Sequence, residues 1–296
     1  MEISASAAWI NQAFSGFDES ITTAVHSLYE VSGGFFTPFF EGVSYFGKGG
    51  IFLILLSLAL LLYRPTRRFG TAMLLGLTIG FAITNLFLKV FIARPRPYVD
   101  ENSIFHEFWL LVGQNVESDK SFPSGHTTAA FACMTPAFIL GKPRVKVFTL
   151  LFAVLMGLAR IYLCVHFPSD VLGGMIVGIF AGCVAVLIAY ILILLRMLYL
   201  AWYTRDKFGR MIIIGVMGML LFHVLENIAM TLGLMPITGI PLPFLSYGGS
   251  NMMTNMGGIG LVLNVTRNRS LSVSVNTPQT MYNPYRVHKH FKTKSV

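Results

Sequence analysis

Apolar residues in this chain gather into runs separated by short polar breaks. Runs suited to bilayer-crossing helices lie near 44–63, 70–92, 126–141, 145–165, 170–199, 211–233 and 251–266, since crossing the hydrocarbon takes about 20 apolar residues. The third and the last are short, and the last is rich in glycine. Residues 8–43 instead alternate apolar and polar positions without a long apolar run, which predicts amphipathic helices lying at the membrane interface. The pattern as a whole predicts an all-α, polytopic helical membrane protein of about seven transmembrane helices, five in a first group and two in a C-terminal hairpin. It divides the chain into an interfacial region (1–43), a membrane domain (44–200), a helical hairpin (201–269) and a tail (270–296). The tail is rich in Ser, Thr and Asn and then basic, as expected of a disordered cytoplasmic segment near anionic lipid.

Composition sharpens this picture. Of 296 residues, 54% are hydrophobic and 12% charged, and the mean hydropathy is +0.67. Soluble domains carry about 25% charged residues, so a soluble enzyme is excluded. The net charge of +9 marks cytoplasmic loops first in a membrane protein, and no nucleic-acid partner is expected. Cys133, Cys164 and Cys183 sit in apolar runs without metal-ligand spacing and read as small packing residues. Residues 1–30 lack the basic start and continuous apolar stretch of a cleavable signal.

The positions of the cations orient the helices. Arg64, Arg67 and Arg68 follow the first run; Lys142, Arg144 and Lys146 follow the third; Arg205, Lys207 and Arg210 follow the fifth; Arg267 and Arg269 follow the seventh. Alternate connections are therefore basic and predicted to face the cytoplasm, together with the tail. Connections 93–125, 166–169 and 234–250, and the N-terminus, then face outward. Arg94, Arg96 and Lys120 break the rule by adding positive charge to an outer connection. Binding an anion through the two arginines would explain the exception.

Three outward stretches carry the chemistry: Lys89 to Pro97, Pro123-Ser124-Gly125-His126, and Arg160 to Asp170. Charge beside lipid is expensive and therefore rarely idle. Lys89 alone reads equally well as a snorkelling lysine. Arg94 and Arg96 are each followed by proline, so the chain leaves the helix there, and guanidinium forks match phosphate oxygens. Pro123 to His126 stand before a helix, whose N-terminus favours anions; Gly125 permits close backbone approach. Ser124 caps that helix, binds an oxygen, or does both. Asp170 follows His166 by four residues, a spacing that brings a carboxylate to one imidazole nitrogen and leaves the other free to attack. A cap and a salt bridge would account for Arg160 and Asp170 taken alone. The other histidines (His26, His106, His223, His288, His290) have no carboxylates or cysteines at metal-ligand spacing, so no metal and no cofactor are expected. Fixed cations would stabilise the charge on a pentacoordinate phosphorus instead.

At these residues the chain resembles the type-2 phosphatidic acid phosphatase superfamily, over roughly 35–200. Lys89, Arg96 and Pro97 match its first block, Pro123 to His126 its second, and Arg160, His166 and Asp170 its third; Ala159 replaces the usual serine. The resemblance implies a metal-independent phosphohydrolase working through a phosphohistidine. His166 would be the nucleophile, Asp170 its orienter and His126 the acid and base. Lys89, Arg96, Ser124, the Gly125 amide and Arg160 would hold phosphate oxygens. Phe222 to Asn227, Gly233 to Ser250 and Gly260 to Val265 resemble a second family, the shape, elongation, division and sporulation polymerases of bacterial peptidoglycan. This likeness covers only 205–269, and the family's earlier helices and catalytic aspartate loop have no counterpart, so polymerase activity is not expected.

The expectation is a lipid phosphatase of the bacterial inner membrane with an outward-facing site. Undecaprenyl pyrophosphate is the leading substrate, because of the second resemblance; phosphatidylglycerophosphate and phosphatidic acid are the alternatives. A scaffold that docks on cell-wall synthesis membrane proteins through the hairpin is the non-enzyme alternative. A transporter or channel fits the hydropathy alone but has no need of the nucleophile–orienter spacing.

Overall fold

A computed structural model describes residues 4–245 and 249–274. All regular structure among the described residues is helical. The helices are α1 (Ala5–Ser32), α2 (Thr37–Gly47), α3 (Ile51–Leu62), α4 (Arg67–Phe81), α5 (Lys89–Ile92), α6 (Ile104–Leu111), α7 (Gly125–Leu140), α8 (Pro143–Tyr162), α9 (Pro168–Tyr203), α10 (Lys207–Thr231) and α11 (Gly249–Ser274), with a π-helical segment, Ala82–Leu88, joining α4 to α5. Capping sets several starts: Ser4 accepts from the Ala7 amide, Ser103 from His106, Ser124 from Thr127, and Asp206 from Gly209. Proline opens α8 and α9, where its missing amide costs nothing.

Among the described residues, five helical stretches are long and apolar enough to cross a membrane: Thr37–Leu62, Arg64–Val99, Pro143–Tyr162, Pro168–Tyr203 and Lys207–Thr231. The hydropathy pattern predicts about seven. The two that fall short are α7, with only 16 residues, and α11, which carries Asn251, Asn255 and Asn264 among its glycines. The first span begins at Thr37, so the interfacial region expected to end at residue 43 stops inside α2. The tail expected at 270–296 lies outside the described residues beyond Ser274.

The chain forms two compact units, Met1–Tyr190 and Ile191–Val296. In the first, α7 lies between two helices that carry small residues toward it. Gly76 and Gly80 of α4 face Ala132, and Gly174, Gly178 and Gly182 of α9 face Ser124, Phe131 and Thr135. Small residues let backbones approach where lipid removes the hydrophobic drive between helices. One core of this unit gathers Leu53, Met73, Leu77, Phe131, Met134 and Met156; another joins Phe40, Val112, Tyr162 and Leu163. α1 buries Ala7, Ile10, Asp18, Thr22 and His26. In the second unit α10 and α11 run antiparallel, Gly209 meeting Val265 and Gly258 meeting Val216, over a core of Met197, Ala201, Ile213, Leu220 and Val262.

Candidate active site

The first unit contains all three motif stretches. α4 does not continue as a regular α-helix: the π segment Ala82–Leu88 intervenes, and Lys89 comes directly after it, 7% exposed. Wider π turns shift the register of the residues after them and recur at functional sites. Ala93, at φ 49, ends α5. Arg96 takes φ −74 and ψ 152, the polyproline path that a following proline enforces. That path has three residues per turn, so side chains two positions apart diverge.

Arg94 and Arg96 diverge accordingly. Arg96 donates to the Val165 carbonyl (2.8 Å), to the Asp119 carbonyl (3.0 Å) and to the Asp119 carboxylate, and its Nη1 lies 3.1 Å from His166 Nε2. A guanidinium only donates. Nε2 is therefore the bare nitrogen and Nδ1 carries the proton. Arg94 turns the other way. It donates to Asp170 Oδ1 (2.6 Å), Ser169 Oγ (2.7 Å), Asp18 Oδ2 (2.9 Å) and Asn11 Oδ1 (2.7 Å), and stacks on Phe167 at 3.9 Å. The expectation that both arginines bind an anion is corrected here: Arg94 is fully engaged with this chain's own carboxylates and does not line the cavity that Arg96 and His166 share.

His166 stands between α8 and α9. Cys164, at φ 50, breaks the chain out of α8, and Pro168 opens α9. His166 Nδ1 lies 3.6 Å from Asp170 Oδ2, longer than a hydrogen bond. That oxygen also accepts from the Phe167 amide (3.0 Å) and the Ser121 hydroxyl. Burial first, then Arg96 and Arg160, hold His166 well below the usual imidazole pKa, so it is neutral at pH 7.

Lys89, Arg96 and Arg160 are each paired with acids of the loop before α7. Asp119 bridges Lys89 and Arg96, and Glu117 accepts from Arg160 at 2.6 Å. Burial alone would raise Asp119, but the Lys89 ammonium and the Arg96 guanidinium outweigh it and bring it down to about 2. Arg160 also donates to Ser44 Oγ (2.6 Å), while its Nε has no partner. Behind His166, burial pushes the Asp18 carboxyl up, and hydrogen bonds from Ser169 and Arg94 pull against it.

A cavity of about 740 Å³ joins these groups to the membrane spans. Lys89, Arg96, Asp119, Gly125, His126 and His166 line its polar end, and Ile54, Leu74, Leu77 and Phe81 its apolar side. Of the expected site residues, Lys89, Arg96, Gly125, His126 and His166 face the cavity. Ser124, Arg160 and Asp170 stand behind its wall. Ser124 is fully buried and its hydroxyl accepts from the Thr127 amide (3.5 Å) and from Thr127 Oγ1 (2.9 Å); the first of these bonds caps α7. The residues that sequence reasoning passed over are Asp18, Ser121 and Ser169 around Asp170, and the two acids of the cation cluster. Asp18 carries no local signal: it stands beside Glu19 in a stretch without a long apolar run, and only the fold buries it. Glu117 and Asp119 stand near the basic residues in the sequence, and the fold pairs them with Arg160 and with Lys89 and Arg96.

Comparison with known proteins agrees with this division. The PAP2 superfamily model matches residues 68–193, and the cell cycle protein family of FtsW, RodA and SpoVE matches residues 175–271. Peptidoglycan glycosyltransferase RodA of Treponema pallidum (strain Nichols) is 46% identical over 86 residues, which are 29% of this chain and 20% of that protein. The chain thus spans only a minor part of the length of the curated relatives it matches, 20% for that RodA and 24% for stage V sporulation protein E of Bacillus subtilis. Aquifex aeolicus LpxE is 31% identical over 51% of this chain and 84% of its own, with a TM-score of 0.43. A PAP2-type phosphatidylglycerolphosphate phosphatase from Bacillus subtilis is 28% identical over 61% of this chain and 88% of its own, with a TM-score of 0.48. The two family matches overlap within α9. Residues 68–193 of this chain belong to the PAP2 superfamily, and residues 175–271, which begin within α9, match the FtsW/RodA/SpoVE family model.

Proposed function

We propose that the first unit is a membrane lipid phosphatase that forms a phosphohistidine and needs no metal. The observation that carries this reading is the bare Nε2 of His166, which faces a cavity with a cationic end and an apolar side. Nε2 attacks phosphorus, forming an N–P bond as the bond to the leaving oxygen breaks. His126, whose pKa burial and then the Arg160 guanidinium bring down to about 2, takes up a proton as the anionic phosphate enters and gives it to that oxygen. His126 then takes a proton from water, whose oxygen attacks phosphorus, and the N–P bond breaks to free phosphate and His166. The imidazole gains positive charge in the first step, and Asp170 on the Nδ1 side stabilises it. Lys89, Arg96 and Arg160 hold the equatorial oxygens, and the Gly125 amide at the start of α7 adds a donor. For the oxygens to reach these cations, phosphate must take the places of Asp119 and Glu117.

The apolar side of the cavity suits a lipid chain. Undecaprenyl pyrophosphate, cleaved to its monophosphate, is the substrate we infer, because the following segment is similar to part of a peptidoglycan glycosyltransferase. Phosphatidylglycerophosphate and phosphatidic acid, phosphate monoesters that give up the same phosphoryl group, are the alternatives. The alternation of basic connections supports an outward-facing site and a cytoplasmic tail. The test is phosphate release by purified protein in detergent, with a chelator, across these lipids. Release from the diphosphate lipid and its loss in His166→Ala are expected. Equal release by that variant removes the nucleophile, and release that stops on chelation removes the metal-free mechanism. Activity of intact spheroplasts on added substrate tests the outward orientation.

A further inference from the structure

The layer behind His166 holds more charge than a two-residue orienter needs. Arg94 Nη1 sits 2.6 Å from Asp170 Oδ1, close enough to cancel the carboxylate's charge. A neutral ion pair is a poor counter-charge for an imidazole that becomes cationic as its N–P bond forms. α1 supplies the correction. Asp18 Oδ2 accepts from Arg94 Nη2 at 2.9 Å and from Ser169 Oγ at 2.8 Å, and Asp18 Oδ1 accepts from the Ser169 amide at 2.7 Å. Asp18, Arg94 and Asp170 are 2%, 1% and 0% exposed. Charges so far from water act strongly on one another and are costly if unbalanced.

We propose that Asp18 is a positioning residue for the phosphatase reaction: its carboxylate occupies Arg94, so that Asp170 keeps a net negative charge on the Nδ1 side of His166. This rests on the reading of His166 as nucleophile. Two carboxylates and one guanidinium leave one negative charge in the layer. Ser169 fixes the geometry by binding Asp18 through both its amide and its hydroxyl. Asp18 and Arg94 line a separate cavity of about 460 Å³ with Asn11, Ser15 and Phe167, and neither faces the catalytic one. The effect of Asp18 therefore belongs to the chemical step and not to substrate binding.

The experiment compares full-length wild type, Asp18→Asn, Asp18→Asn/Arg94→Gln and His166→Ala in detergent, with phosphate release from a lipid diphosphate as readout and thermal unfolding as the control for folding. Asp18→Asn is expected to lower kcat at least about tenfold with KM within about twofold, the signature of an interaction made in the transition state alone. The double variant removes the arginine charge as well and restores the net negative charge on Asp170. It is expected to regain most of the lost kcat, which a merely structural role for Asp18 would not allow. An unchanged kcat in folded Asp18→Asn overturns the proposal, as does a loss carried mainly by KM or a double variant no better than the single one. If Asp18→Asn does not fold, the double variant decides: kcat within tenfold of wild type supports the proposal and anything lower overturns it. A wild type that releases no phosphate, or a fully active His166→Ala, sinks the phosphatase reading itself. An active wild type and a dead His166→Ala beside an unaffected Asp18→Asn sink only this inference.

Discussion

On the proposed reading, Asp119 occupies the position that a substrate's phosphate needs. It bridges Lys89 and Arg96, and its pKa, lowered to about 2, means that this pairing is intact above the ordinary carboxylate value of about 3.9 and is lost only as pH falls toward 2. At neutral pH it is a full competing charge. Asp119→Asn should therefore lower KM for a lipid phosphate severalfold and let inorganic phosphate inhibit at lower concentration, both read from initial rates at pH 7. Unchanged values for both would show that the carboxylate does not compete. Lys89, His126 and His166 were legible as residue types at motif spacing, because their chemistry is unusual beside lipid. The role of Arg94 is hidden because its carboxylate partners, Asp18 and Asp170, each lie 76 residues away along the chain. Asp18 gives no sign of its role, because an acid beside Glu19 in a stretch without a long apolar run is indistinguishable from a solvated one.

Helices were easier to read than their registers. Apolar runs announced most of the long helices, since the bilayer demands length. The π segment at Ala82–Leu88 was hidden, because hydropathy does not record how many residues a turn contains. α1 lacked a long apolar run, yet it buries five positions, among them Asp18 and His26. Close helix contacts were hidden for another reason: a glycine shows what it permits only when its neighbour is known. A Cβ on Gly76 would lie 2.3 Å from the Ala132 carbonyl oxygen. Backbone cannot yield as a side-chain tip does, so Gly76→Ala should destabilise the first unit by about 1–3 kcal/mol. Thermal unfolding in detergent checks this against Gly218→Ala, where nothing lies within 4 Å of the added carbon and no loss is expected.

At the scale of the chain, the order of the two family segments was legible because each carries its own motif. The passage between them was not. The compact units divide at Tyr190 and Ile191, inside α9 (Pro168–Tyr203), an unbroken apolar helix with no compositional seam. All the site residues belong to the first unit. Its cavity has walls from α3 and α4, where Ile54 and Phe81 are 40% and 60% exposed on spans suited to the hydrocarbon. A ligand whose tail leaves through such a wall is counted in two dimensions. Turnover should then follow the mole fraction of substrate among the surrounding amphiphiles, so that adding inert lipid at constant total substrate slows the reaction, while a short-chain, freely soluble analogue is hydrolysed at a rate indifferent to that dilution.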